Sequence, residues 1–304
     1  MADLSVKIAG VEFKNPVITA SGCFGFGEDY EELYPAERLG GISLKGTTLE
    51  PRPGNPPVRI AETPSGMLNS VGLQNPGVDA LVRDYLPRIR DKNVVIIANI
   101  AGGTVESCCE AVGRACVDGI DMIELNISCP NVKEGGIAFG VREESVKRVV
   151  GEVRRVCTKP LIVKLSPNVT DIVSIARTAE AAGADALSLI NTLLGMRIDI
   201  NTRRPVLRNN MGGLSGPAVF PVALRMVWQV ARAVDIPVIG LGGVASWRNA
   251  VEMLLAGACA VQVGTAMFTD PTAPLDIIDG LERWMDENGI GSLGELVGKA
   301  EAWQ

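Results

Sequence analysis

The chain of 304 residues contains no histidine. Without an imidazole it cannot build a Ser-His-Asp triad, a Cys-His pair, a facial-triad iron site or a His-ligated catalytic zinc, so acid–base work falls to Cys, Lys, Asp, Glu or Tyr. A basic surplus is also missing: 29 Lys and Arg stand against 35 Asp and Glu, a net charge of −6. That excludes the electrostatic footprint of a nucleic-acid or anionic-membrane binder and leaves small molecules or proteins as partners. No apolar run approaches the ~18 residues of a spanning helix. The opening MADLSVKIAGVEFKNP is broken by Asp3, Lys7, Glu12 and Lys14, so no secretory signal is read and the chain is expected in the cytoplasm. The 7 cysteines are odd in number and include no C-x-x-C pair. This argues against a disulfide framework, a zinc ribbon, a chain-borne iron–sulfur cluster or any other metal site, and most cysteines are expected to be buried small hydrophobes.

What is present is a rhythm. Apolar runs of strand length (Pro16–Ala20, Gly41–Lys45, Val94–Asn99, Met122–Ile127, Leu161–Leu165, Ala186–Asn191, Pro237–Leu241 and Ala260–Val263) alternate with helical stretches. Those stretches are Val78–Ile89, Thr104–Val117, Glu143–Val156, Ile172–Ala182, Pro217–Val234, Trp247–Ala256 and Pro274–Asn288, with a shorter one after Glu28 interrupted by Pro35. The pattern predicts a single α/β domain over residues 1–304, a (β/α)8 TIM barrel with an N-terminal β-hairpin and loop insertions at the C-terminal face. An open doubly wound sheet fits less well, because the strands keep barrel-like spacing to the end of the chain. Thr47–Pro76 and Thr192–Gly216, rich in Pro, Gly and Asn, are expected as long ordered loops over a site, and Pro130–Gly140 as a shorter loop with a Gly135-Gly136 hinge.

The chemistry is expected where a barrel gathers it, at the C-terminal ends of the strands. There stand Ser21-Gly22, Lys45-Gly46, Asn99, Asn126, Lys164, Asn191-Thr192, Gly242-Gly243 and Gly264-Thr265. Polar side chains of this kind are costly to bury unpaired, so a ring of them predicts a polar ligand at the mouth. Gly240–Val244 and Val263–Ala266 follow the last two strands, where glycine lets backbone N–H groups approach a phosphate. GLGGVA also fits a dinucleotide fingerprint, but it lies near the chain end with no acidic residue after the next strand, so that reading is rejected. Cys129, in ELNISCPN, is the cysteine placed to face the mouth; the other six are read as inert.

Taken in order, ASGCFGFG, LKGTT, NSVGLQNPG, ANIAG, ELNISCPN, VKLSPN, LINT, GLSGPA, GLGGV and VGTAMF resemble the dihydroorotate dehydrogenase family along essentially the whole chain. The resemblance implies an FMN-dependent oxidation of (S)-dihydroorotate to orotate in pyrimidine biosynthesis, with one FMN per chain. Cys129 would take the C5 proton while hydride passes from C6 to flavin N5. Ser21, Lys45, Gly46, Asn99, Asn126, Lys164, Ile190 and Gly216 would contact the flavin, and Gly242, Gly243, Gly264 and Thr265 its phosphate. Lys45, Asn69, Ser70, Val71, Gly72, Leu73, Asn126, Asn191 and Thr192 would surround the substrate. A cysteine in place of serine resembles the soluble class 1 members. QNPG at Gln74–Gly77 and NVKEGG at Asn131–Gly136 resemble the NAD-linked type 1B, in which a homodimer of catalytic subunits pairs with two electron-transfer subunits carrying FAD and a [2Fe–2S] cluster. The alternatives are a fumarate-reducing homodimeric type 1A enzyme, a flavin-free phosphate-binding barrel isomerase or lyase, and a non-catalytic scaffold subunit.

Overall fold

A computed structural model describes residues 2–28, 30–128 and 139–303. The N-terminal segment folds on itself: β1 (Val6–Ile8) and β2 (Val11–Phe13) pair antiparallel with Val6 opposite Phe13. The barrel follows. Its strands are β3 (Val17–Thr19), β4 (Gly41–Ser43), β7 (Val95–Ile100), β8 (Met122–Asn126), β9 (Leu161–Lys164), β10 (Ala186–Leu189), β15 (Val238–Leu241) and β16 (Ala260–Val263). They close in the order β10-β15-β16-β3-β4-β7-β8-β9, every pair parallel.

Strand periodicity decides what fills the barrel, because alternate residues face inward. Ile18, Ile97, Met122, Ile162, Ala186, Ile239 and Ala260 cluster with Ile8 and Phe13 of the hairpin. This apolar layer closes the barrel at the strands' N-terminal ends, with the hairpin as its plug. Two residues further along, the inward positions turn polar: Asn99, Glu124, Lys164, Ser188 and Gln262, all buried. The site described below stands on that second layer.

The helices bury one face on the outside of the barrel. Glu143–Val156 has the bounds expected from its period and buries Val146, Val149, Val150 and Val153, the i, i+3, i+4, i+7 stripe. Thr104 caps Val105–Ala115 in a reciprocal capping box with Ser107, Asp171 caps Ile172–Ala181 and Ser246 caps Trp247–Leu255. Each cap is worth about 1 kcal/mol. Val78–Ile89 is helical as expected but widens to a π-turn over Leu81–Tyr85. Pro87 follows, and a residue without an N–H cannot serve the carbonyl one turn back.

Three expectations are corrected. The segments Thr47–Pro76 and Thr192–Gly216 are not simply loops: they contain β5 (Ile60–Thr63), β6 (Gly66–Asn69), β11 (Leu193–Gly195), the short pair β12 (Ile198–Asp199) and β13 (Arg204–Pro205), and β14 (Gly212–Ser215), of which four form an antiparallel sheet in the order β11-β14-β6-β5. The two insertions supply each other's ladder, with Met67 opposite Ser215 and Asn69 opposite Gly213. The strands at Gly41–Lys45 and Ala186–Asn191 end early, at Ser43 and Leu189, which leaves Lys45 and Asn191 free to turn over the mouth. Among the described cysteines only Cys108 and Cys157 are buried as whole residues, while Cys23, Cys109, Cys116 and Cys259 keep part of their surface exposed, although the Cys23 and Cys259 sulfurs are themselves desolvated. No helix of the described residues is long and apolar enough to cross a membrane. Most of Pro130–Gly140, including the Gly135-Gly136 pair, lies outside the described residues.

Candidate active site

The floor of the barrel mouth is organised by one carboxylate. Glu124 is fully buried on β8 and accepts from Ser43 Oγ at 3.0 Å and Asn99 Nδ2 at 2.5 Å on one oxygen. Its other oxygen accepts from Ser188 Oγ at 2.7 Å and Gln262 Nε2 at 2.8 Å. Lys164 Nζ lies 3.9 Å away and donates to Ser21 Oγ at 3.3 Å. Burial alone would raise the carboxyl's pKa, but the Lys164 ammonium and the Ser188, Gln262 and Asn99 donors outweigh it and hold Glu124 below the usual carboxylate range. It is therefore ionised, and the pair puts a fixed cation at the cavity.

Above this floor is a cavity of about 300 Å³, at the lower end of the range for small-molecule sites. It brings together Ser21, Lys45, Gly46, Asn69, Val71, Gly72, Leu73, Asn99, Asn126, Lys164, Ile190, Asn191, Thr192, Gly216, Gly242, Gly243, Gly264 and Thr265. Ser70 is the exception: it is buried outside the lining, its backbone N–H bonded to the Arg59 carbonyl at 2.7 Å. Cys129 lies outside the described residues.

The second lysine stands at a different point of the wall. Burial pulls the Lys45 ammonium below the ordinary lysine value; nearby Cys23 counteracts this and Arg59 reinforces it. Cys23 was grouped with the inert cysteines, yet it lines the cavity, with its thiol pushed up to about 11 by burial despite Lys164 and Lys45. It is a neutral thiol at physiological pH.

A relay of amides and hydroxyls shapes the remaining wall. Asn126 Oδ1 accepts from Ser128 Oγ at 2.8 Å, and Ser128 Oγ accepts from Asn191 Nδ2 at 2.6 Å. Asn191 Oδ1 accepts from the Thr192 backbone N–H at 2.7 Å. Opposite, the glycine turns pack closely. Gly243 has φ +77°, and a Cβ built on it would sit 2.8 Å from the Gly216 carbonyl and 2.8 Å from the Phe220 backbone nitrogen. Only a residue without a side chain leaves this corner open for a ligand to approach the backbone.

Sequence reasoning missed Glu124, Gln262 and Cys23. The first two were legible in principle, since period two along each strand puts Glu124, Asn99, Lys164, Ser188 and Gln262 in one layer. No residue of that layer is unusual alone.

A (β/α)8 barrel whose mouth combines two lysines, a belt of amides and a glycine-lined corner belongs to the class of barrels that take a polar, anionic small molecule. Comparison with known proteins narrows the class. A family model described as dihydroorotate dehydrogenase matches residues 3–285. Relatives named dihydroorotate dehydrogenase B (NAD(+)), catalytic subunit, include one from Bacteroides thetaiotaomicron, 55% identical over 304 residues and covering 99% of this chain and 100% of its own. A second, from Parabacteroides distasonis, is 56% identical over 98% of both chains, and a third, from Petrotoga mobilis, is 53% identical over 98% of this chain and 99% of its own. The chain belongs to the dihydroorotate dehydrogenase family.

Proposed function

We propose that this chain oxidises (S)-dihydroorotate to orotate in de novo pyrimidine biosynthesis, as the catalytic subunit of an NAD-linked enzyme with one FMN in the cavity of a single domain. The observation that carries the reading is the pairing of Lys164 and Lys45 on one amide-lined cavity in a chain of this family.

The residues fit FMN. Among the described residues, Asn99 Oδ1 and Gln262 Oε1 are buried without a hydrogen-bond partner on the cavity that Lys164 also lines, which suits a ring edge carrying both donors and acceptors. The corner that a Cβ on Gly243 would fill suits a phosphate, which Gly242, Gly243, Gly264 and Thr265 would meet with backbone N–H groups. Ser21, Gly46, Asn126, Ile190 and Gly216 would complete the flavin's contacts. When bound, FMN supplies the hydride acceptor. Lys164 would stabilise negative charge developing on the ring, and its salt bridge to Glu124 keeps that charge in place.

The substrate would occupy the part of the cavity between Lys45 and the Asn126-Asn191 relay. Lys45 would meet its carboxylate, and Asn69, Asn126, Asn191 and Thr192 its ring carbonyls and N–H groups, since an amide offers both donor and acceptor. Val71, Gly72 and Leu73 would close over it and exclude water. Ser70 would support this wall from behind rather than touch the substrate. Cys129 would remove the C5 proton; a free thiol with pKa about 8.5 needs only modest help from a cation to supply thiolate near neutrality.

To reach NAD, the electrons would leave through a partner. We infer a homodimer of this chain flanked by two electron-transfer subunits carrying FAD and a [2Fe–2S] cluster, working in the cytoplasm without nucleic acid or membrane. The test is orotate formation from dihydroorotate by the purified, flavin-loaded chain with an artificial dye as acceptor. Orotate at a rate that depends on flavin content supports the reading; none from the flavin-loaded chain overturns it.

A further inference from the structure

Of the side chains on the cavity floor, Glu124 has no task in the reaction just described. Yet it ties together more of the barrel than any other polar group on that floor: its partners stand on β4, β7, β9, β10 and β16. A buried carboxylate is costly, and a stable floor could be built from apolar side chains alone. What the carboxylate does that a Leu could not is impose direction on amides.

Each of its two oxygens can only accept, so the amides of Asn99 and Gln262 must present N–H to it. Each amide then has its carbonyl oxygen turned the other way. Those oxygens, Asn99 Oδ1 and Gln262 Oε1, are both buried, both without a hydrogen-bond partner among the described residues, and both on residues that line the cavity. The Asn99 oxygen lies 3.0 Å from where a Cβ on Gly46 would be, so the absence of a side chain at position 46 keeps its path clear. Two unpaired buried acceptors on one cavity are expensive unless a ligand donates to them.

We propose that Glu124 is a positioning residue: it locks the Asn99 and Gln262 amides in the one orientation that offers two carbonyl acceptors, beside the Lys164 cation, to the donors of FMN, its single ring N–H and its ribityl hydroxyls. The inference rests on the FMN reading of the site. It makes a specific chemical demand of Glu124→Gln, which is nearly isosteric. The new amide has one accepting and one donating end. On the donating side the serine, Ser43 or Ser188, can rotate its hydroxyl to accept. The amide beside that serine can accept only by flipping, which turns its NH2 toward the cavity. One acceptor facing the flavin thus becomes a donor.

The test is titration of apo-protein with FMN, followed by quenching of flavin fluorescence, alongside apo-protein melting temperatures. E124Q is expected to weaken FMN binding by about tenfold or more, from one lost hydrogen bond and one donor facing a donor. E124Q/N99D is expected to recover most of that loss. The carboxylate at position 99 accepts from the new amide with one oxygen and keeps the other toward the cavity. Gln262→Met removes one acceptor while leaving Glu124 its other donors, so it keeps the test decisive should E124Q fail to fold. It is expected to weaken FMN by roughly three- to tenfold with little change in melting temperature. The proposal is overturned if E124Q binds FMN like wild type, if E124Q/N99D binds no better than E124Q, or if Q262M leaves the affinity unchanged. Wild-type apo-protein that does not bind FMN overturns the FMN reading itself, and this inference with it.

Discussion

Gly243→Ala tests whether the corner of the cavity is built to be empty. Gly243 has φ +77°, where an L-residue costs about 1–2 kcal/mol. Its Cβ would also lie 2.8 Å from both the Gly216 carbonyl oxygen and the Phe220 nitrogen, and neither backbone atom can swing aside like a side-chain tip. Overpacking of that kind adds about 1–3 kcal/mol, so the expected total is about 2–5 kcal/mol. Gly289→Ala is the control, because Gly289 also has positive φ (+67°) but, among the described residues, nothing within 4 Å of its added Cβ. It should cost only the backbone part, about 1–2 kcal/mol. Urea denaturation of the two variants separates the terms, and FMN titration shows where the strain falls. G243A should lose FMN affinity by at least about tenfold as the Gly216–Gly243 corner shifts, while G289A should bind like wild type. If the two variants lose the same stability and both retain FMN, the close approach at Gly243 does not matter and the phosphate assignment goes with it.

Three further outcomes follow from named contacts. Cys129→Ser should slow dihydroorotate oxidation by about 10²–10⁴-fold while retaining flavin, as measured by orotate formation per bound FMN; near-normal turnover removes Cys129 as the base. Lys164→Met leaves Glu124 buried without its cation and should destabilise the chain by about 3 kcal/mol at pH 8. In wild type the depressed Glu124 pKa gives stability that persists above the ordinary carboxylate range and is lost only as pH falls through the lowered value. In K164M burial dominates and the folded-state pKa rises, so stability should increase from pH 8 to pH 5; parallel urea profiles for the two proteins would contradict this. In a C129S background, iodoacetamide at pH 7 should label Cys116 before Cys108 or Cys259. The Cys116 and Cys157 sulfurs lie 3.9 Å apart and share a proton, a coupling that lowers the Cys116 thiol, whereas desolvation of the sulfur raises the other two to about 12. Peptide mapping that finds Cys108 or Cys259 modified first would refute the assignment.

The barrel was legible because its signals are local. The valine stripe of Glu143–Val156 and the apolar run Ala260–Val263 carry their period within a few residues, and both elements have the bounds read from it. The strand-end polar residues were legible for a related reason, since Asn99, Asn126 and Lys164 interrupt apolar runs where burial would be costly. The antiparallel sheet over the mouth was not. Its strands are short, and pairs such as Leu68 with Leu214 join segments far apart in sequence, so neither half carries a signal without the other. Glu124 escaped notice for the opposite reason. Inside ELN it reads as an outward charge on a strand, and only the stacking of Asn99, Lys164, Ser188 and Gln262 at the same height turns it inward as an acceptor. Cys23 was hidden because the turn after β3 brings it to the wall, and turn geometry is not written in composition.

The central claim is that this cavity holds a flavin reduced by dihydroorotate. Its most direct test is the visible absorption spectrum of the purified chain before and after anaerobic addition of dihydroorotate. The account predicts a flavin spectrum that bleaches on addition. A flavin spectrum that persists would contradict the assigned substrate, and a chain that carries no flavin even after reconstitution with FMN would contradict the cofactor and the account as a whole.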